Sequence, residues 1–356
     1  MNKSIFKTVT TAGLILLMLL PVHLRGQEPY RQGTTAANFL EIGYGGAGIA
    51  MGDAYVSEAH DLSAAYWNPG GLAFMQGNEV QISYQPWLLD INALFVGAGF
   101  NVRGIGTFAF HLLQMNYGSE EVTTMEMQDG TGELYTANDY AFGLSYARSL
   151  TSWFSFGISG KYIASQIWHT SANAIALDLG VLIQTHFFSP TQRRDDGLRI
   201  GLSISNFGNR MRYDGQDLLN PIDILPNEQG NYQDVPGQFR TEGWELPLLF
   251  RLGISVRPFV MGPHRLTLAA DALHPNNNSE SVNLGVQYQY RLPSAGTFSI
   301  RGGYKALFIE DSEYGFTFGG GIFLPLMNNR GIKVDYAYRD VGILGNVHLY
   351  SVGIIF

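Results

Sequence analysis

From Asn78 to Phe356, apolar and polar residues alternate with period two in segment after segment. Val80, Ile82 and Tyr84 alternate with Gln81, Ser83 and Gln85, and Leu94, Val96, Ala98 and Phe100 with Gly97, Gly99 and Asn101. Ile175, Leu177, Leu179, Val181 and Ile183 form one face of a later segment, with Asp178 on the other; Ile332, Val334, Tyr336 and Tyr338 oppose Lys333, Asp335, Ala337 and Arg339. Period two is the mark of a strand whose two faces meet different surroundings. About fourteen such segments can be counted after Asn78. The stretch from Gly104 to Met115 fits poorly, because Phe108, Phe110 and Leu112 share one face while Leu113 and Met115 occupy the other. Its neighbours mark it as a strand.

Composition says what the apolar faces meet. Hydrophobic residues make up 46 % of the 356 and charged residues only 15 %, against about 25 % charged in a soluble domain. Residues 1–26 read as a secretory signal, with Lys3 and Lys7 at a positive start, an apolar stretch from Ala12 to Leu20, and Gly26 before the cut. Its removal takes away Lys3, Lys7 and Arg25 and no acid, so the net charge moves from −8 to −11. An acidic export product has no electrostatic basis for binding nucleic acid. The absence of Cys excludes disulfides, thiolate metal sites and an N-terminal lipid-bearing cysteine. Past the signal there is no run of about 18 apolar residues, so no membrane helix is expected. The other way to span a bilayer is a closed barrel, which leaves no backbone edge unpaired in lipid.

The sequence therefore predicts an all-β fold: a transmembrane antiparallel β-barrel of about fourteen strands over residues 78–356, after a signal (1–26) and a lead-in and plug (27–77). A soluble sandwich also alternates, but two features argue against it. Trp87, Tyr117, Tyr140, Trp153, Trp168, Tyr290 and Tyr350 stand near strand ends, as an interfacial aromatic girdle requires. Tight turns at Val102–Gly104, Leu150–Ser152 and Leu292–Ala295 follow even strands, whereas the long connections Tyr117–Asp139 and Gly208–Glu245 follow odd ones. Short turns and both chain ends are expected in the periplasm, and long connections outside. The last segment places Tyr350, Val352, Ile354 and Phe356 on one face and ends on that Phe, resembling the signal read by the barrel-insertion machinery.

Asn38 to Gly77 is different: rich in Gly and Ala, it lacks the bulk for a core of its own and is expected to pack inside the barrel. Asp61 to Tyr66 reads as a short helix with Asp61 as N-cap and Pro69 as its stop. The polar strand faces carry Arg199, Arg251, Arg257, Arg301, Lys333 and Arg339 with Asp178, Asp271 and Asp335. These face the lumen, either lining a polar channel or tying the plug to the wall.

No constellation points to catalysis or a cofactor. His111, His169, His186 and His348 lie in or at the ends of strands without a nucleophile and acid at a recognisable spacing. GYGGAG at Gly43–Gly48 lacks the Lys and the preceding strand of a phosphate loop. No metal site is expected: Asn276 to Asn278 with Glu280 reads as a turn, and the acids Glu120, Glu121, Glu126, Asp129, Glu133 and Asp139 read more readily as a solvated loop than as cation ligands beside lipopolysaccharide.

FLEIGYGGAGIAMGDAYVSEAHDLSAAYWNPGGLA resembles the opening motif of PorV/PorQ-family outer-membrane proteins, through Phe39 to Ile42, Met51-Gly52, Asp61 and Tyr66 to Pro69, and YQPWLLDI at Tyr84–Ile91 resembles the PorV side. Gly48 stands where that family often has Arg, and Gly70 where Ala is usual. The resemblance implies the fourteen-stranded barrel and N-terminal hatch of FadL-type channels. It implies either a non-enzymatic partner in type IX secretion, binding cargo signal domains, or a passive transporter of a hydrophobic ligand. Trp67, Asn68 and Pro69 would shape the hatch as candidate binding residues, and outer-membrane lipid is a partner in either case.

Overall fold

The computed structural model describes residues 33–230, 234–293, 295–310, 312–326 and 330–356. The expected signal, 1–26, and most of the lead-in lie outside the described residues. Fourteen strands form the wall: β1 Glu79–Pro86, β2 Asn92–Val102, β3 Gly106–Glu121, β4 Leu134–Ser149, β5 Phe154–Ile167, β6 Thr170–Gln184, β7 Arg199–Gly208, β8 Leu249–Met261, β9 His264–Pro275, β10 Ser281–Leu292, β11 Gly296–Leu307, β12 Phe316–Pro325, β13 Gly331–Asp340 and β14 Asn346–Ile355. Each pairs antiparallel with its neighbours in sequence, and β1 pairs β14 from Glu79↔Ile355 to Tyr84↔Tyr350, so the sheet closes on itself. Asn78 and Phe356 complete the seam by exchanging backbone hydrogen bonds of 3.1 and 2.9 Å. Among the described residues no helix is long and apolar enough to cross a membrane.

The period-two pattern becomes two chemically distinct surfaces. On β6, Ile175, Leu177 and Leu179 point outward, with Leu177 44 % exposed, while Ala172, Ala174, Ala176 and Asp178 are buried inside. Tyr350, Val352, Ile354 and Phe356 likewise lie on the outer face of the seam. β3 blurred the pattern because both its faces are apolar for different reasons. Phe110 faces outward, and Leu113 and Met115 are buried inside against the plug.

The named tight turns occur after even strands, at 103–105, 150–153 and 293–295, and long connections follow β3 (122–133) and β7 (209–248). The parity is not strict. β5 and β6 are joined by Trp168 and His169 alone, with Trp168 in the left-handed region at φ 50°, and β6 and β7 are joined by residues 185–198. Two aromatics expected in the girdle belong to the interior. Tyr117 donates to Asp139 Oδ2 at 2.6 Å and, like Trp87, packs against the buried core. The 209–248 connection carries its own hairpin, Leu219–Ile222 against Val235–Gln238.

Residues 38–75 lie inside the ring. They form two 3-10 helices, Asn38–Glu41 and Pro69–Phe74, and two short α-helices, α1 Gly46–Ala50 and α2 Ala64–Trp67. The helix expected at Asp61 begins three residues later, and Asp61 does not cap it. Its Oδ1 accepts from Ser63 N at 3.1 Å while Oδ2 faces Lys333 on β13. The charge on the wall takes the carboxylate that a free helix end would have used. Asn68 (φ −162°) and Pro69 do end the helix, and the Asn68 carboxamide oxygen accepts from Gly70 N at 3.1 Å. At the far end of the barrel from Phe356, Thr35 bridges Glu245 and Ala36 N donates to Glu245 O at 2.9 Å. The first described residues thus lie at the long-connection end, opposite Phe356 and not beside it as the expected placement of both chain ends at the short-turn side would have it, and the chain descends from there to β1.

An arginine placed at Leu177, near the middle of β6 on the lipid face, is expected to destabilise the barrel by about 2–4 kcal/mol, read from equilibrium unfolding in lipid vesicles. Residues near the rims should tolerate the same change at much lower cost.

Candidate functional site: the plug and its seat

Between Arg31 and Arg103 the chain has no Lys or Arg, while Glu41, Asp53, Glu58 and Asp61 give the plug four acids. The wall supplies their partners. Glu58 Oε1 lies 2.7 Å from Arg257 Nη2 on β8, and Oε2 lies 3.6 Å from Arg199 Nη1 on β7. Asp53 contacts Arg339 on β13 and lies 2.8 Å from Lys305 on β11. Asp61 pairs with Lys333. Glu41 Oε2 accepts from Asn277 Nδ2 at 3.0 Å, so the Asn-rich turn is also a clamp on the plug. Burial alone would raise the Glu58 carboxyl from its usual 4.5, but Arg257 and Arg199 outweigh it and hold it at about 2. Asp61 is depressed in the same way, burial opposing and Lys333 prevailing.

Of the inward wall charges singled out in the sequence, four therefore bind plug acids. Others serve elsewhere. Arg301 pairs with Asp335 at 2.6 Å along the wall, and Asp178 with Lys161 at 2.8 Å. Arg251 stacks over Tyr66 and Trp67, its guanidinium carbon 5.5 and 5.8 Å from the ring centres, and Asp271 Oδ2 accepts from Val56 N at 2.9 Å. Sequence reading missed Asp53 and Glu58 as the plug's anchors. The signal was the one-sided charge of residues 32–77 against the basic strand faces.

Trp67, Asn68 and Pro69 sit at the centre of this seat. Trp67 is 1 % exposed and its indole N–H donates to Tyr44 O at 2.8 Å; Tyr66 OH donates to Leu40 O at 3.0 Å. The Asn68 carboxamide nitrogen donates to Val56 O and to Val181 O on β6, both at 2.9 Å. One buried side chain thus ties the plug to itself and to the barrel. The approach is close enough to require glycine in the wall: a Cβ on Gly180 would stand 2.2 Å from Asn68 Oδ1. Gly48 has a similar reason, since a Cβ there would lie 2.6 Å from the Trp67 ring. That accounts for a small residue where the resembling family often carries Arg. Every partner observed for these three residues is internal to the barrel.

This geometry defines a class: a closed β-barrel whose N-terminal segment fills its lumen. Solved structures share the fold. The toluene transporter TodX of Pseudomonas putida superposes with a TM-score of 0.54 at 12 % identity, covering 88 % of this chain and 97 % of that one. The toluene transporter TbuX of Ralstonia pickettii gives 0.50 at 12 %, with 88 % and 97 % covered, and a FadL homologue of Pseudomonas aeruginosa gives 0.50 at 12 %, with 87 % and 97 %. A search of curated proteins found no match. The protein is an outer-membrane β-barrel of FadL-like fold. The sequence model of the family described as type IX secretion system protein PorV matches residues 25–226, more than half of the chain, and the chain belongs to that family.

Replacing Glu58 by Gln leaves Arg257 buried without its counter-charge and is expected to cost about 3–5 kcal/mol, measured by denaturant unfolding. Because the Glu58 carboxyl is depressed in the folded state, its contribution is fully present above the ordinary value of 4.5 and is lost as pH falls toward about 2. Hydrogen exchange of plug amides should therefore be flat from pH 8 to 5, after correction for intrinsic rates, and rise below pH 4. Asn68→Ala strips the buried Val56 carbonyl and the part-buried Val181 carbonyl of a donor and should cost about 2–4 kcal/mol by the same unfolding assay.

Proposed function

We propose that this protein is a non-enzymatic outer-membrane partner in type IX protein secretion or surface attachment, working through its long connections rather than through its lumen. The observation that carries this reading is the fixation of the plug. Asp53 meets bases on β11 and β13, Glu58 on β7 and β8, and Asp61 on β13, and Asn68 adds a direct bond to β6. Displacing the plug for passage through the lumen would strand several buried charges at once, each costing several kcal/mol. A barrel blocked in this way suits a role as a docking platform. Membership of the PorV family supports the same role. In this arrangement the short turns and Phe356 face the periplasm, and the 122–133 and 209–248 connections face outward toward cargo signal domains or other secretion proteins. Trp67, Asn68 and Pro69 then act as positioning residues for the plug.

The alternative, passive transport of a hydrophobic small molecule, rests on the fold shared with the toluene transporters. A mild-detergent pull-down of the tagged protein from outer membrane, with proteins and extracted lipids identified by mass spectrometry, separates the two. Secretion components or cargo signal domains in stoichiometric amounts are the expected outcome. A partner-free barrel carrying a bound apolar molecule would replace secretion with transport.

A further inference from the structure

The 185–198 connection lies at the rim that carries the short turns and Phe356, and it breaks the pattern of that rim by its length. It is a built structure. Leu198 N donates to Phe187 O at 2.8 Å, Ser189 Oγ to Arg193 O at 2.8 Å and Thr191 Oγ1 to Asp196 Oδ2 at 2.6 Å, while Asp196 Oδ1 meets Arg265 at 2.7 Å. What it holds out is apolar: Phe187 is 70 % and Phe188 77 % exposed. Phe188 sits at φ 58°, a left-handed conformation that bulky residues rarely adopt. The connection is tied to the neighbouring 150–153 turn, since Arg194 Nη1 donates to Ser152 Oγ at 2.6 Å and Gln184 N to Trp153 O at 2.8 Å. That turn exposes Leu150 and Trp153, which continue the lipid-facing belt of β4 and β5.

Three arginines belong to the same rim. Arg148 is exposed at the end of β4, opposite Phe156, and Arg193 and Arg194 follow the two phenylalanines in the same connection. Three arginines face one available acid: Asp195 pairs with Arg193 at 3.2 Å, while Asp196 is turned inward to Arg265. Aromatic rings with guanidinium heads at one rim match the boundary between acyl chains and phosphates, where rings bury and arginines reach the headgroups.

We propose that this rim is a binding site for anionic phospholipid, with Phe187 and Phe188 inserted among the acyl chains and Arg193 and Arg194, aided by Arg148, holding the headgroup phosphate. The site extends the established lipid-facing surface of the barrel. It rests on the membrane-spanning barrel and not on the secretion role, so a pull-down that overturns the latter leaves it standing.

The test uses the full chain in nanodiscs of equal phosphatidylglycerol and phosphatidylcholine, followed by native mass spectrometry of the lipids retained after release. Each arginine near an anionic surface contributes on the order of a fivefold preference, so retained phosphatidylglycerol should exceed phosphatidylcholine by roughly that factor or more. Arg193→Gln with Arg194→Gln should lower the ratio by about an order of magnitude, leaving only the share of Arg148, whereas Arg193→Lys with Arg194→Lys should keep the enrichment. Phe187→Ser with Phe188→Ser should lower the total lipid retained. Equal retention of the two lipids by the unmodified protein, or enrichment that the glutamine pair leaves undiminished, would overturn the proposal.

Discussion

A peptide group in hydrocarbon has no water to bond, and every other feature of this molecule depends on that constraint. A sheet in such a place must close, and it closes here where Glu79–Tyr84 meets Tyr350–Ile355 and where Asn78 and Phe356 exchange hydrogen bonds. Closure fixes which residues look outward, so the apolar set of each strand meets lipid and the polar set meets the lumen. With fourteen strands that lumen is too wide for wall side chains alone to fill. The chain fills it with its own residues 38–75.

Filling a polar lumen with a small, Gly- and Ala-rich segment poses a second problem, because the wall's basic residues would otherwise be buried without counter-charges. The plug answers it with acids and neither Lys nor Arg. Ion pairs buried to this degree add little net stability against a well-packed apolar alternative, but breaking any one of them is costly. They therefore specify position more than they stabilise. Asp53, Glu58 and Asp61 fix three points of the plug against β7, β8, β11 and β13, and the Asn68 carboxamide fixes a fourth against β6. A segment held at four points around a ring is part of the wall's architecture, which is why the long connections carry the proposed function.

Much of this was legible beforehand, and the places where reading failed have physical causes. Alternation along β6 and β13 gave both strand and orientation, because side-chain period is a local property of an extended backbone. β3 was obscure because its inner face packs on the plug, and apolar residues facing apolar residues leave no contrast to read. Asp61 was misread as a helix cap because its true partner, Lys333, lies 272 positions away in sequence. Tyr117 was misplaced in the girdle for a similar reason: its partner Asp139 stands across a hairpin whose register sequence does not display.

By itself the sequence determined the class of fold, the number of strands, the outward face of nearly every one, and the family motif around Trp67-Asn68-Pro69. These follow from local periodicity and composition, which survive in a linear chain. Only the tertiary structure decided which acid met which base, that Asn68 reaches across to β6 at a spot where glycine leaves room, and that Phe187 and Phe188 stand out from the rim. Such pairings depend on strand register and on the depth of the plug in the ring, quantities that exist only once the barrel has closed around it.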